Sequence, residues 1–454
     1  MKRPSRTQRI ANGKELRIAC PRTSQAAWKL RPTSISIIDL LEESNANRVA
    51  GLIPVRYGRM AQSPLHFFRG TAIIQARDLF TTSASGIIVQ ACGDAHLSNF
   101  GGFATPERSL AFDINDFDET FPAPWEWDLK RLTASIVIAA RYLGFTAADA
   151  EDAVRTCVGE YRKRMAEYSE LTVLETWYAR ITMDDLKDLF KKDKDLSARL
   201  GKKTTEARGR TSESVFPKLT TVIDGERLIV DDPPLIYHIQ NDTKTKKKNR
   251  KAILSQYRDS LQEDRRKVFD AYELVDAAFK VVGVGSVGTR CFVALFLADD
   301  NDPLFLQLKE ARRSVLENPK GKSRYKHQGE RIVSGQRHMQ ASSDIFLGWA
   351  RSPEGIDYFI RQLRDQKVSA DIESFKRRTL SAYALLCGWG LARAHAKAGD
   401  APMISGYVGT SDQLDTALTK YSFAYADQVE RDFDTFQKAI RTGRLKTDTE
   451  SPGI

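Results

Sequence analysis

A chain of 454 residues is long enough for two or three lobes, and 41% hydrophobic with 9% aromatic residues supplies a substantial core. Charged residues reach 28%, while only 28 Gly and 16 Pro are present, which excludes wholesale disorder, a collagen-like repeat and a coiled-coil rod. The net charge of +11 calls for an anionic partner, whether nucleic acid, acidic lipid or a phosphorylated small molecule, without choosing among them.

No apolar run approaches the roughly 18 residues of a membrane span. The opening Met-Lys-Arg-Pro-Ser-Arg develops no apolar core, so a secretory leader is not expected. The five cysteines (Cys20, Cys92, Cys157, Cys291, Cys387) are scattered and form no C-x-x-C pair. That argues against a disulfide framework or a structural zinc site and for the reducing cytoplasm.

Residues 1–33 form a basic segment, with eight Lys or Arg against the single Glu15 in the first 30, and read as a loose arm. Residues 86–92 read as a short buried strand, a polar loop follows, and Leu110–Ile114 reads as a second strand. Asp128–Tyr142 has helical spacing, and Thr146-Ala-Ala-Asp149 is a capping signal for the next helix. A charged helical insertion spans 183–251 and ends in KTKKKNRK, Lys244–Lys251, with six basic residues in eight. That run has no interleaved aromatic residue for base stacking, so it reads first as a solvated surface. A helix is expected over 255–280. Strands follow across Val281–Ala298 and Pro303–Leu308, separated by the turn Asp299–Asp302. A helix over Glu330–Gln340, strands near 344–350 and 357–363, and an apolar helix over Leu380–Ala396 complete the pattern.

Two constellations carry chemistry. The first is Gly93-Asp94-Ala95-His96-Leu97-Ser98-Asn99, followed by Asp113, Asp116 and Asp118 in FDINDFDE. Carboxylate and amide oxygens of this kind suit Mg²⁺, with one Asp left to orient or deprotonate a hydroxyl. The second is Gly283-Val-Gly285-Ser286-Val-Gly288, a G-x-G-x-x-G that is followed by a strand and not by the helix a dinucleotide fold needs. A strand–glycine turn–strand hairpin resembles the phosphate-covering loop of protein kinases. Lys309 on the next strand then stands where a kinase carries its phosphate-pairing lysine. Glu330, opening the next helix, is the candidate partner of Lys309, with Glu310 and Glu317 as rivals.

GDAHLSNFGGF and FDINDFDET are similar to the G-D-x-H-x-x-N and I-D-F-D motifs of aminoglycoside and choline phosphotransferases. More closely, the chain resembles the bacterial domain-of-unknown-function 2252 family over about residues 50–440. RYGRMAQSPLHFFRG, CGDAHLSNFGGF, FDINDFDETFPAPWEWDLKRL, VGSVGTR, FLQLKEA, DIFLGW, RQLRDQK and CGWGLARAHAKAGD carry that resemblance. The kinase-like resemblance implies an α+β, two-lobed fold with circularly permuted order, because the catalytic loop here precedes the glycine turn by about 190 residues. On that order residues 34–275 begin the large lobe, 276–366 form the small nucleotide-binding lobe, and 367–454 complete the large lobe with helices.

Carried over, the resemblance makes Asp94 the catalytic base and Asn99 and Asp116 the Mg²⁺ ligands, with Asp113 and Asp118 as alternatives. Gly283, Gly285, Ser286 and Gly288 would cover the phosphates of ATP, Lys309 would neutralise them, and His96 would brace the loop. Arg59 and Arg69 are candidates for an acidic acceptor. The departures are Cys92 before Gly-Asp and the lack of D-F-G and A-P-E segments. The expected activity is Mg²⁺–ATP-dependent phosphoryl transfer to a hydroxyl of an unidentified small molecule. The alternatives are a non-catalytic nucleotide-binding or interaction protein, a nucleic-acid binder supported by charge alone, and a metal-dependent phosphoesterase. The last has Asp94-Ala-His96 but lacks the further histidine blocks that hold two metals, and His395 reads as a packed helix-end residue.

Overall fold

The computed structural model describes residues 3–32, 35–238, 244–281, 283–299, 302–317, 323–363 and 366–448; the side chains of Lys244–Lys248, most of the basic run, and two residues of the Asp299–Asp302 turn lie outside the described residues. The architecture is mixed α+β with several sheets. Among the described residues no helix is long and apolar enough to cross a membrane.

The N-terminal segment is not a loose arm. Arg6–Ala19 is a helix, capped by the Ser5 side chain, and it packs on the helix Ala401–Val408. Glycines let the two backbones touch: a Cβ on Gly13 would lie 2.0 Å from the Met403 carbonyl oxygen, and one on Gly406 would lie 2.2 Å from that of Ile10. Net charge hid this contact because the half-buried arginines flank it and bond across to the partner, as Arg9 does to Asp400 and Arg17 to Tyr407 O at 2.8 Å.

Strand β1 (Ile88–Ala91) enters the polar loop, after which β2 (Phe100–Ala104) and β3 (Leu110–Ile114) form a hairpin with Phe100 opposite Ile114. β4 (Phe121–Pro124) returns to pair antiparallel with β1 and runs directly into the buried helix Trp125–Tyr142. Thr146 and Asp149 form the expected capping box of Ala147–Glu170. The apolar helix Arg377–Ala398 lies along that helix, close enough that a Cβ on Gly388 would meet the Cys157 carbonyl oxygen at 2.2 Å. With the long helix Gln413–Arg441 these elements bury the main apolar core around Trp125, Leu129, Cys157, Tyr161 and Leu391.

A short strand β5 (Ile181–Thr182) pairs with β3, and the charged insertion beyond it folds as the helices Met183–Phe190, Lys194–Arg208 and Ser212–Leu219, then the hairpin β6 (Thr220–Ile223) and β7 (Glu226–Ile229). The basic run lies in the helix Lys244–Ser260.

The second body is a six-stranded antiparallel sheet. Its strands are β8 (Ile236–Tyr237), β9 (Glu273–Lys280), β10 (Cys291–Leu297), β11 (Pro303–Glu310), β12 (Gly348–Arg351) and β13 (Asp357–Gln362), in the spatial order β12-β13-β11-β10-β9-β8. The helix expected over 255–280 is corrected: helix ends with Glu263–Phe269, and Glu273–Lys280 is a strand. Its two alanines favour helix locally, but pairing along β10 decides the outcome. The sheet therefore draws on residues before 276. The helix Gln328–Met339 connects β11 to β12 and packs on β12 and β13. Leaving β13, the chain forms β14 (Val368–Ser369), which pairs with β2 and ties the six-stranded sheet to the hairpin that follows the polar loop.

Candidate active-site cleft

The polar loop is shaped by a left-handed glycine. Gly93 has φ 86°, and a Cβ there would lie 2.4 Å from the Glu119 carbonyl oxygen. Asp128, in the first turn of the Trp125–Tyr142 helix, accepts hydrogen bonds from the N–H groups of Cys92 (2.6 Å) and Gly93 (2.8 Å). Behind it, His395 Nε2 lies 3.2 Å from Asp128 and Nδ1 lies 2.9 Å from the Tyr161 hydroxyl, so this histidine is a buried link in the scaffold.

Asp94 emerges from that turn and pairs with buried Arg131, whose Nη2 is 2.7 Å from Oδ1 and which also donates to Gln75 and to Phe68 O. Burial pushes the Asp94 pKa up, and Arg131 only partly offsets it. His96 Nδ1 accepts from the Ser98 N–H at 3.2 Å, and burial holds the ring neutral, so it braces the loop. Asn99 donates to Asp94 O at 2.7 Å, which leaves the amide oxygen as the group it can offer a ligand.

Opposite this loop, Lys309 projects from β11, almost fully buried, into an ion pair with Asp118; its Nζ is 3.9 Å from Asp116 Oδ2. Burial pushes the Asp116 pKa up, but Lys309, Arg361 and Lys367 outweigh it and hold the pKa at about 2. Asp118 moves the other way, raised by burial and by Asp116. Its buried Oδ1 has no hydrogen-bond partner among the described residues. Glu119 accepts from the Val315 N–H at 2.7 Å, and burial pushes its pKa up to about 7. Arg331, from the Gln328–Met339 helix, donates to the carbonyl oxygens of Asp118 and Arg312 (2.8 and 2.7 Å) and fixes this acidic turn from behind.

The glycine turn closes the cleft. Gly283, Gly285 and Ser286 line it, and Arg48 holds the turn by donating to Gly285 O (3.0 Å) and Val287 O. Gly288, at φ 85°, serves the turn geometry and packs against Arg48 without lining the cavity. The cavity, about 330 Å³, is lined by Asp94, His96, Asn99, Asp116, Asp118, Gly283, Gly285, Ser286 and Lys309, which stand far apart in the sequence.

Asp113, Glu330 and Arg59 stand elsewhere. Asp113 is fully buried with Arg393 Nη2 at 2.8 Å from its Oδ1, and its other oxygen accepts from the Ala341 N–H; it joins β3 to two helices and does not face the cleft. Glu330 does not line the cleft, and no described contact joins it to Lys309, which is taken by Asp118 and Asp116. Its rivals are likewise engaged, Glu310 with Arg290 and Glu317 with Arg313. Arg59 is buried away from the cleft, whereas Arg69 lines it, with an Nε that is buried and unpartnered among the described residues.

Sequence reasoning missed Glu119, Gln307, Arg361 and Lys367, which also line the cavity. Gln307 was within reach, because two residues from Lys309 on a strand is the same face. Arg361 faces Gln307 through the pairing of β11 with β13, and that partnership has no local signal.

This cleft lies within a matched family region. The chain belongs to the DUF2252 family. The family, described as an uncharacterized protein conserved in bacteria, matches residues 48–439, from the arginine that clamps the glycine turn into the last long helix. No curated protein and no solved structure matches the chain. Among the described residues no group of three or more His, Cys, Asp or Glu side chains is placed to hold a metal. A cation here would therefore rest on one or two carboxylates, the Asn99 amide and the ligand's own oxygens, which is the usual situation for Mg²⁺.

Proposed function

We propose that this member of the DUF2252 family is a Mg²⁺–ATP-dependent phosphotransferase with a circularly permuted kinase-like fold, acting on a hydroxyl of a small molecule. The observation that carries the reading is the convergence of Asp94, Asn99, Asp116, Lys309 and the glycine turn on one cavity despite their separation in sequence. Lys309 lies on the third strand after β9 and β10, and a helix crosses from that strand to the next, which supports the kinase-like reading of the small lobe.

Asp116 and Asn99 would hold Mg²⁺, with Asp118 adjacent. The group fits, since Asp116 stays ionised at neutral pH and Asp118 presents a buried oxygen without a hydrogen-bond partner among the described residues. When bound, the ion neutralises phosphate charge. Lys309 and the N–H groups of the glycine turn orient the donor. Asp94, held by Arg131, is positioned to take the proton of the acceptor hydroxyl, and its raised pKa suits that role. Catalysis of this kind rests on positioning and charge stabilisation.

Thermal unfolding with Mg²⁺ and ATP tests binding, and ADP release in the presence of candidate hydroxyl compounds tests transfer. The parent should be stabilised only by Mg²⁺ and ATP together, Asp116→Ala and Lys309→Ala should lose that gain, and Asp94→Asn should keep binding while losing ADP release. A parent indifferent to millimolar Mg²⁺–ATP refutes the reading.

A further inference from the structure

Gln307, Arg361, Leu363 and Lys367 line both the cleft and a neighbouring cavity of about 220 Å³, so they form the wall between the two. A wall that held a flat nucleoside base would be expected to be mainly apolar. Here three of the four side chains are polar and two are cations.

Neither cation has an ion pair within 4 Å among the described residues, and Arg361 additionally lies 5.8 Å from the Phe359 ring centroid. Arg361 uses Nε on Gln307 Oε1 (3.1 Å) and Nη1 on Asn115 O (3.4 Å). The Lys367 carbonyl accepts from Arg210 at 3.2 Å, while its ammonium makes no hydrogen bond and no ion pair among the described residues. Both look onto Asp116, which already faces Lys309 at 3.9 Å, so three cations share one carboxylate while Asp118 takes up Lys309. Burial and Arg361 push the Lys367 pKa down to about 8. Cations crowded in a cleft at this cost are relieved by an anion, and phosphate oxygens match the arginine fork and the lysine ammonium together.

Building on the phosphotransferase reading above, we propose that Arg361 and Lys367 form with Lys309 a seat for the polyphosphate of the donor, so that phosphates and not the base occupy this wall. Recognition then runs through the triphosphate, and the base contributes little affinity.

The test is calorimetric titration of the full chain, with Mg²⁺ present, using ATP, inorganic tripolyphosphate and adenosine as probes, on the parent, Lys367→Met, Arg361→Gln and Asp116→Ala. Lys367→Met removes a charge that has no ion pair among the described residues, so its unliganded melting temperature should not fall, which confirms folding. We expect tripolyphosphate to bind the parent within about tenfold of ATP, and Lys367→Met to weaken both by roughly tenfold or more, the usual worth of a charge-assisted phosphate contact. Adenosine should neither bind measurably nor compete. If adenosine binds and competes with ATP while tripolyphosphate does not bind, or if Lys367→Met and Arg361→Gln bind ATP like the parent while Asp116→Ala does not, the seat is refuted and the phosphotransferase reading stands. If no probe binds the parent, both fall together.

Discussion

Replacing Asp113 and Asp116 in turn by alanine separates a carboxylate that holds the fold from one that serves the cleft. Asp113 and Arg393 are both 0% exposed, and losing the carboxylate strands a buried guanidinium whose Nε and Nη1 already lack partners among the described residues. Breaking such a pair costs about 3–5 kcal/mol. At roughly 2.1 cal/mol/K per residue, a chain of 454 residues melting as one unit has an unfolding entropy near 1 kcal/mol/K, so Asp113→Ala should melt about 3–5 °C lower. Asp116 is 35% exposed, its nearest cation is 3.9 Å away, and that cation keeps Asp118. Asp116→Ala gives up a carboxylate whose pKa is held at about 2 by the cations around it and, discounted for its exposure, should cost about 1–2 kcal/mol, less than Asp113→Ala. Ligand reverses the ranking. At about 100 times its dissociation constant, Mg²⁺–ATP should add about 2.7 kcal/mol, or roughly 3 °C, to the parent and to Asp113→Ala, and nothing to Asp116→Ala. Scanning fluorimetry with and without Mg²⁺–ATP reads all six values. An Asp113→Ala protein that melts like the parent but ignores the ligand, beside an Asp116→Ala protein that still responds, would refute the assignment of the two roles.

Three further outcomes follow from the packing. Lys130 is buried, and burial pushes its pKa from 10.5 down to about 8, with Glu126 only partly opposing. Between those values the unfolded chain holds a proton the folded one has lost, so the parent gains stability as pH rises, and the stability of Lys130→Met relative to the parent should fall by about 3 kcal/mol between pH 7 and pH 10.5. Urea unfolding at both pH values checks this, and a pH-independent difference contradicts it. Gly93→Ala places a methyl 2.4 Å from Glu119 O at φ 86°, so it should cost about 1–3 kcal/mol in urea unfolding and also weaken Mg²⁺–ATP binding, because it shifts the Asp94 turn against the acidic turn. Gly13→Leu wedges the N-terminal helix off the Met403 carbonyl and should lose about 1–3 kcal/mol; an unchanged urea midpoint would mean that the segment does not pack in solution.

What could be read from the sequence was local. The strands on either side of the Asp94 loop, the capping box at Thr146 and the glycine turn before a strand are each signalled by short stretches and are in place, although Phe100–Ala104, read as part of the loop, is a further strand. Asp113 could have been separated from its neighbours by the same local logic. It sits inside Leu110–Ile114, where every residue is buried, so its carboxylate needs a partner within the protein, whereas Asp116 and Asp118 lie past the strand end where the chain turns into the cleft. The partner itself, Arg393, is 280 residues away on a helix that the local pattern describes only as apolar.

The cations of the cleft were hidden for a related reason. Spacing along a strand predicts which side chains share a face, so Lys309 implied Gln307. It says nothing about which strand lies alongside. Arg361 reaches the cleft because β13 inserts between β11 and β12 and sets Arg361 opposite Gln307, and Lys367 reaches it because β14 pairs with β2 one residue later. Both placements are products of long-range register, and a one-residue slip of β13 would turn Arg361 to the other face of the sheet. The carboxylates of this cleft are thus fixed by loops that read locally. Its positive wall is fixed by sheet pairing, and it is there that the proposed phosphate seat has to be tested.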